Sequence, residues 1–325
     1  MRIRCLASGH QRSGAESNPG CGVSKWYPDS TIDFQRRWQQ PGAFFIWLRL
    51  LVDGVANKYF YGVAMPAATN LFLPAVKIHR LVWRFCFSVV YTTLIVLEIW
   101  LRTVVGQADL RMAMRVRRRW ARRLLYVLGI RLELSGSPPA FPALVVANHR
   151  SYLDPILLLC DLDALPVAKA ELASWPILGK GAALAGILYL RREHSGSRAQ
   201  TLRQIEAKIQ EGFSVILFPE GTTSSLAGTL PFKKGAFQLA AKSGLPVVPV
   251  ALCFDDERDY WLGTEGFFSH AARRFRLKST TIRLCYGPAF QNADANRLSE
   301  EVRSWINIQL EKYPPLHALG SPLST

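Results

Sequence analysis

Short apolar runs alternate with longer helical stretches from about Leu132 onward, and this alternation limits the possible folds more than any other feature. The runs read ALVVAN, ILYL, SVILF, VVPVAL and TIRLCYG. They lack the strict apolar–polar alternation of half-exposed strands, so they predict strands buried on both faces. Between two of the runs, Leu202, Ile205 and Ile209 recur at helical spacing. The sequence therefore predicts an α/β fold, with a mixed or largely parallel sheet flanked by helices.

The charge of the chain points to an anionic partner. The formal net charge is +16, and 49% of the residues are hydrophobic, enough for a substantial core. Nucleic acid, an anionic membrane surface and a phosphorylated substrate all fit such a charge. The six cysteines show neither CxxC nor Cys/His ligand spacing. We therefore expect no disulfide framework, no zinc site and a reducing compartment.

An apolar segment, FCFSVVYTTLIVLEIWL (Phe85–Leu101), precedes the predicted sheet. Crossing a bilayer takes about 17–25 apolar residues, so this segment lies at the lower limit. Glu98 is the only residue of this segment whose charge would clearly be unfavourable inside a bilayer. We predict an N-terminal membrane helix, spanning or monotopic; a buried helix of a soluble protein is the alternative.

An arginine-rich stretch comes next, with eight arginines and one acid between Arg102 and Arg123. In a helix, one face is apolar and is lined by Met112, Val116, Trp120 and Leu124. Four arginines fall away from that face: Arg115, Arg118, Arg119 and Arg122. This pattern predicts an interfacial helix on an anionic membrane surface, with a solvated charged face as the alternative. The excess of basic residues predicts that the remainder of the chain lies on the cytoplasmic face of the cell inner membrane.

These patterns divide the chain into four expected regions. They are a poorly structured extension with an apolar patch (1–75), a membrane-associated helix and basic amphipathic helix (76–124), the predicted α/β domain (125–315) and a tail (316–325). Residues 1–40 contain no apolar core of a signal peptide. We expect translation to start downstream of Met1, for example at Met65; intact-mass analysis of protein made from its native gene tests this.

The stretch VVANHRSYLDP (Val145–Pro155) ends an apolar run in a titratable cluster. Ser151 and Asp154 fit a helix capping box, in which Asp154 only caps the helix. If instead the strand ends near His149 and the helix begins near Ser151, the chain reverses and the carboxylate reaches the imidazole. A carboxylate on Nδ1 fixes the tautomer and leaves Nε2 to take a proton. Because the sequence has no GxSxG nucleophile motif, this base is expected to activate a hydroxyl of the substrate.

A second chemical stretch is VILFPEGTTSSLAGTLPFKKGAF (Val215–Phe237). An ordinary Pro-Gly loop is the simple interpretation. However, the loop follows a buried strand, so it should open on the same sheet edge as His149. Backbone amides beside Gly221, with Lys233 and Lys234, suit a phosphate. Arg191 and Arg192, which follow GILYL, are candidates for the same basic pocket.

Four blocks in order resemble the glycerolipid acyltransferase family, which includes the bacterial 1-acylglycerol-3-phosphate acyltransferases. NHRSYLDP is similar to the N-H-x4-D block, and GILYLRR to the second block, which ends in Arg192. FPEGT (Phe218–Thr222) matches the third block and LPVVPV (Leu245–Val250) the fourth. The resemblance covers roughly residues 125–315.

The resemblance implies a lysophospholipid acyltransferase that makes phosphatidic acid from a 1-acylglycerol-3-phosphate. The donor would be an acyl thioester, acyl-ACP or acyl-CoA, with no covalent acyl-enzyme, no metal and no cofactor. His149 would be the base and Asp154 its orienting acid, while Pro249 would shape the acyl pocket. The remaining expected site residues bind the acceptor: Arg192, Glu220, Gly221, Thr222, Thr223 and Lys233. Glu220 would position donors rather than touch the phosphate.

One position departs from the family pattern. Phosphate-recognising members often have an arginine directly after FPEGT, and here that residue is Thr223. A hydroxyl cannot make the bidentate contact of an arginine, so lyso-ornithine lipid O-acyltransferase is the alternative function.

Two further function classes fit parts of the sequence. A basic nucleic-acid-binding protein would explain the net charge, but no RRM, KH or zinc-finger pattern is present, so we expect no nucleic acid. A catalytically inactive lipid-binding protein would have no need of both His149 and Asp154.

Overall fold

The computed structural model describes residues 69–107, 109–170, 185–190, 195–263 and 265–316. The strands in these ranges are β1 (Ile130–Ser135), β2 (Leu144–Ala147), β3 (Ala164–Lys169), β4 (Leu188–Leu190), β5 (Ser214–Leu217), β6 (Val247–Phe254) and β7 (Thr280–Tyr286). The α-helices are α1 (Thr69–Val104), α2 (Leu110–Leu128), α3 (Asp154–Leu159), α4 (Ser195–Gln210), α5 (Gly235–Ser243), α6 (Phe267–Arg276) and α7 (Ala295–Lys312). A short 3₁₀ helix spans Glu257–Asp259.

The described strands form one sheet in the order β1-β7-β6-β2-β5-β3-β4. Neighbouring strands are parallel except β6 and β7, which are antiparallel. The predicted mixed, largely parallel sheet is therefore confirmed. Two strands were not among the predicted apolar runs: β1 lies at the sheet edge with most side chains exposed, and β3 contains Pro166. Neither has the uninterrupted apolar pattern that marks a buried central strand.

Helices cover both faces of the sheet, so alternate residues of the central strand β2 enter two different cores. Val145 and Ala147 pack with residues of α2, α3 and α6. Leu144 and Val146 pack with residues of α4, α5 and α7. All four residues of β2 are buried, which explains its continuous apolar sequence. The carboxyl end of this doubly covered strand leads directly into His149.

Helix α1 contains the predicted membrane segment and extends it in both directions. Residues Lys77–Val104 are long and apolar enough to cross a membrane, by length and composition. One face of α1 packs inside the protein: Ile95 and Ile99 are buried against α2, and Arg84 donates hydrogen bonds to carbonyls of the α6 end. The opposite face exposes large apolar side chains: Ile78, Val82, Phe85, Val89, Val90, Leu94, Leu97, Trp100, Leu101 and Val104. This face is the part of α1 suited to lipid.

Helix α2 requires a correction. Its predicted apolar face does not lie outward, because Met112, Val116 and Leu124 are buried against α1 and the sheet domain. Arginines also point inward: Arg118 and Arg122 donate to the carbonyls of Asp161 and Cys160, which follow α3. The prediction that this apolar face meets a bilayer is therefore wrong. The amphipathic pattern is real, but the sheet domain and α1 bury the apolar side.

Candidate active site

The carboxylate of Asp154 lies at the first residue of α3 and is fully buried. Its Oδ2 is 2.7 Å from Nδ1 of His149, and it accepts the backbone N–H groups of Arg150 (2.6 Å) and Ser151 (2.8 Å). Because a carboxylate only accepts hydrogen bonds, Nδ1 is the donor and Nε2 keeps the lone pair of a neutral imidazole. The arrangement can orient a general base.

The two interpretations of Asp154 turn out to be compatible. As in a capping box, the Asp154 carboxylate accepts the N–H of Ser151; the Ser151 hydroxyl, however, accepts the N–H of Leu153 at 3.4 Å. The same carboxylate oxygen also binds His149. One side chain therefore shapes the start of α3 and holds the histidine.

His149 is fixed by its backbone as well as by its ring. Its N–H donates to Oε1 of Glu220 (2.7 Å), and its carbonyl accepts the N–H of Ser224 (3.1 Å). The imidazole stacks on Phe218, with ring centroids 4.5 Å apart, and its side chain stays 22% exposed. The ring is thus held in one orientation while remaining accessible.

The end of β2 is locked to β6 by Asn148. The buried amide of this residue donates to the carbonyl of Leu252 (3.0 Å) and accepts the N–H of Leu252 (2.7 Å). These two bonds continue the strand pairing through a side chain and set the point where the chain turns. The sequence contained a hint, since an asparagine directly after a buried strand is placed to pair with backbone groups.

Glu220 connects its own loop, which follows β5, to the turn that follows β2. Its carboxylate is buried, with Oε1 on the N–H of His149 and Oε2 on the N–H of Leu230 (2.8 Å). Burial raises the pKa of Glu220, opposed by the two backbone hydrogen bonds and by Arg150 and His149. Both carboxylate oxygens accept backbone N–H groups, so the geometry suits a residue that holds the backbone of His149 and Leu230 in place.

The loop after Glu220 brings Lys233 back to the site. Gly221 adopts a left-handed φ of 73°, and a Cβ atom at this position would collide with Nζ of Lys233. The N–H of Lys233 also donates to the carbonyl of Pro219 (3.0 Å). The left-handed backbone favours glycine at this position, and the lysine side chain lies directly against it. Thr222 is exposed and Thr223 half-buried on the same loop.

Arg150 is a site residue to which the sequence patterns assigned no role. Its side chain is only 1% exposed; Nη1 donates to the carbonyl of Ser224 (2.9 Å) and Nη2 to that of Gly228 (3.0 Å). The guanidinium also lies 5.5 Å from the centroid of the Tyr260 ring. An arginine between a histidine and a serine gave no sequence signal of burial, because its carbonyl partners come from a distant loop.

Arg191 and Arg192 lie outside the described residues. Pro249 pairs in register with Val146 inside the sheet. The ring of Pro249 and the ring of Trp305 from α7 both lie against Gly287, where they leave no room for a side chain. The acyl-pocket assignment of Pro249 remains a prediction. In the part of the chain that the structure describes, no group of three or more His, Cys, Asp or Glu side chains is placed to hold a metal ion.

The comparisons with known proteins identify the class. A family model described as Acyltransferase matches residues 131–253. A 1-acyl-sn-glycerol-3-phosphate acyltransferase of Neisseria meningitidis is 32% identical over 195 residues, which cover 57% of this chain and 76% of that protein. The chain belongs to the glycerolipid acyltransferase family and is an enzyme similar to the 1-acylglycerol-3-phosphate acyltransferases.

Relatives with two different acceptors match this chain at comparable identity. A lyso-ornithine lipid O-acyltransferase of Pseudomonas aeruginosa is 30% identical over 203 residues, covering 60% of this chain and 78% of that protein. A crystal structure of the 1-acyl-sn-glycerophosphate acyltransferase PlsC from Thermotoga maritima aligns with a TM-score of 0.58 and 22% identity. It covers 78% of this chain and all of that chain, and it supports the fold.

Proposed function

We propose that this enzyme transfers an acyl chain from an acyl thioester to the free hydroxyl of a 1-acylglycerol-3-phosphate, which gives phosphatidic acid. The observation that carries the proposal is the 2.7 Å contact between Nδ1 of His149 and Oδ2 of Asp154, at the carboxyl end of a central strand. In open α/β sheets this edge is where chemistry is generally located.

In the proposed reaction His149 acts as the general base. Nε2 takes the proton of the acceptor hydroxyl as its oxygen attacks the thioester carbonyl, and Asp154 stabilises the imidazolium. The tetrahedral intermediate then collapses, the carbon–sulfur bond breaks, and the imidazolium returns the proton to the leaving thiolate. The products are an ester and a free thiol, so the reaction requires neither a redox partner nor a protein nucleophile.

The acceptor phosphate is proposed to bind beside Gly221. The Lys233 ammonium lies against Gly221 and supplies positive charge there, and Thr222 and Thr223 supply hydroxyl donors. Arg192 remains a proposed ligand from the family resemblance. Glu220 has both carboxylate oxygens on backbone N–H groups, which supports a role in holding the site rather than in binding phosphate.

Acylation of lyso-ornithine lipid is the second candidate function. It is favoured by Thr223, which stands where phosphate-recognising family members often have an arginine. The relative of that name from Pseudomonas aeruginosa adds support, since it matches about as well as the phosphate-acceptor relatives.

Membrane attachment is proposed to occur through the exposed apolar face of α1. Exposed arginines of α2, such as Arg115 and Arg119, would attract anionic head groups, each contributing about 1 kcal/mol near the surface. We propose the cytoplasmic face of the inner membrane, on the basis of this cluster of basic residues. The donor is acyl-ACP or acyl-CoA, both of which are anionic.

An acyl-transfer assay tests the proposal. Membranes containing the wild type or His149→Ala are supplied with an acyl thioester and, separately, radiolabelled lysophosphatidic acid or lyso-ornithine lipid. Phosphatidic acid formed by the wild type and lost in the variant is the expected result. Product from lyso-ornithine lipid alone would favour the second candidate, and equal product from wild type and variant would refute the assignment of His149.

A further inference from the structure

Residues 218–234 connect β5 to α5 and, along this described segment, form neither helix nor strand. The base of the segment is closed where the N–H of Lys233 donates to the carbonyl of Pro219 (3.0 Å). Residues 221–230 lie inside this closure and include the threonines proposed to bind the acceptor; we call them the acceptor loop. Because the loop lacks regular backbone pairing, its polar backbone groups need partners from other parts of the protein.

Three consecutive residues at the end of the acceptor loop are each held by a different element. The carbonyl of Gly228 accepts Nη2 of Arg150 (3.0 Å), from the turn after β2. The N–H of Leu230 donates to Oε2 of Glu220 (2.8 Å), from the start of the same segment. Thr229, between them, is bound by α7.

Helix α7 binds every polar group of Thr229. Oδ1 of Asn307 accepts the N–H of Thr229 (2.9 Å). Arg303 donates from Nε to the Thr229 hydroxyl (3.2 Å) and from Nη2 to its carbonyl (3.3 Å). Thr229 is only 5% exposed, so these side chains take the place of water as its partners. We call Arg303 and Asn307 the α7 clamp.

The α7 clamp projects from a helix that is itself fixed to the sheet. Val302 and Ile306 of α7 are fully buried in the same core as alternate residues of β2. Arg303 and Asn307 are four residues apart, so they lie side by side on another face of the helix. A Cβ atom at Gly228 would lie 3.3 Å from Oδ1 of Asn307, so the clamp lies directly against the loop.

We propose that Arg303 and Asn307 are positioning residues for the acceptor site. By holding Thr229 they keep the acceptor loop, with its hydroxyl and N–H donors, at a fixed place relative to His149. The proposal rests on the proposed function, from which the loop takes its role in binding the acceptor. Both residues act through the loop, so their loss should weaken acceptor binding and leave proton transfer by His149 largely intact.

The experiment compares Asn307→Leu with Asn296→Leu in the full-length protein. Asn296 is a matched control, because it is the same residue type on the same helix, is exposed, and lies about 16 Å further along the axis at 1.5 Å per residue. Asn307→Asp is the rescue variant, since it keeps an oxygen that accepts the N–H of Thr229. Denaturant unfolding checks that each variant is folded.

Two properties are measured for each variant. Steady-state acyl transfer from acyl-CoA to lysophosphatidic acid gives kcat and the KM of each substrate. Amide hydrogen exchange over residues 221–230 reports whether the acceptor loop is held. If the wild type uses only lyso-ornithine lipid, the same comparison is made with that acceptor.

We expect Asn307→Leu to raise the KM for the acceptor by about tenfold, because the N–H of the buried residue Thr229 loses its acceptor. The kcat and the KM for acyl-CoA should not change, and exchange in the acceptor loop should become faster. Asn296→Leu and Asn307→Asp should behave as the wild type. Arg303→Met should raise the KM for the acceptor by a smaller factor, since Asn307 still holds the backbone.

Three results would overturn the proposal. The first is faster exchange in Asn307→Leu with an unchanged KM for the acceptor, which would mean that acceptor binding does not depend on the clamp. The second is an equal effect of Asn307→Leu and Asn296→Leu, and the third is an equal rise in the KM of both substrates. A wild type inactive on both lipids would instead refute the proposed function, and the exchange comparison would still decide whether α7 holds the loop.

Discussion

Two histidines of this protein lie near buried aspartates, and their surroundings are opposite. His149 places Nδ1 on the carboxylate of Asp154 and keeps its side chain 22% exposed. His270 is fully buried, and its Nε2 faces the backbone carbonyl of Asp259 at 3.2 Å. The negative charge of a carboxylate stabilises the protonated imidazolium form of a histidine. An uncharged backbone carbonyl can be satisfied by the N–H group of a neutral imidazole.

The aspartates differ in the same way. Asp154 receives backbone N–H groups and an imidazole that can give and take protons. Asp259 is paired with Arg274, with the arginine Nε 2.7 Å from Oδ1, and both side chains are fully buried. An arginine is permanently charged, so that pair is structural. Of these two buried carboxylates, Asp154 therefore has an accessible imidazole as its partner, whereas the partner of Asp259 is a buried guanidinium.

The largest expected effect comes from Asp154→Asn. An amide in this place still accepts backbone N–H groups, but it no longer holds the imidazole in the correct tautomer or stabilises its charge. We expect kcat to fall by about 10³–10⁴-fold. The measurement is acyl transfer by purified protein, with circular dichroism as the check on folding. A loss below tenfold would mean that Asp154 only caps α3.

Asp259→Asn should instead lower stability. It leaves Arg274 as a buried charge without its counter-ion, which costs about 3–5 kcal/mol. Denaturant unfolding of detergent-solubilised protein measures this loss, while kcat of the folded fraction should stay near that of the wild type. The double variant Asp259→Leu/Arg274→Met is the control, because it removes both charges and should recover much of the stability. A large drop in kcat without loss of stability would contradict the structural role.

Arg150→Met should have an intermediate effect. The substitution would leave the buried carbonyl of Ser224 and the partly buried carbonyl of Gly228 without their donors, so the loop beside the proposed acceptor site should become looser. We expect KM for the acceptor to rise by about tenfold and stability to fall by about 1–3 kcal/mol. Steady-state kinetics beside denaturant unfolding separate the two effects. Arg150→Lys, which keeps the charge but not the fork of donors, should lie between wild type and Arg150→Met.

His270 should produce the smallest effect, visible only as a pH dependence. Burial lowers the pKa of His270 below 6.5, and the neighbouring arginines Arg273 and Arg274 act in the same direction. The unfolded chain therefore binds a proton that the folded protein does not, and stability is lost as pH falls through 6.5. Unfolding measured from pH 8 to pH 5 should show a shallower decline in His270→Gln. An unchanged slope would mean that other groups cause the dependence.

Much of the candidate active site at the end of β2 was predictable because its residues are close in sequence. His149 and Asp154 are five positions apart, and a strand that ends before a helix begins is enough to bring them together. FPEGT was recognised from its resemblance to the third block of the family, and its residues are contiguous in the sequence. The family resemblance gave Glu220 a positioning role but not its partners, and it gave Arg150 no role. Their partners are backbone groups that the sheet brings near.

The arginine helix shows where a local pattern misleads. Its apolar stripe was correctly located, but amphipathicity gives no information on whether protein or lipid covers the stripe. In the structure, α1 and the sheet domain cover the stripe. Arg118 and Arg122 also point inward and bind backbone carbonyls at the end of α3.

By itself, the sequence determined the α/β class, the doubly buried strands, the apolar segment in α1 and the pairing of His149 with Asp154. All of these depend on hydrophobic periodicity or on groups a few residues apart, which are properties of a short stretch of chain. Only the tertiary structure decided which helix faces are buried, which carboxylate pairs with arginine, and that Glu220 and Arg150 fasten the two loops at the site. Those features depend on hydrogen bonds and packing between segments far apart in the chain, whose proximity is created by the sheet.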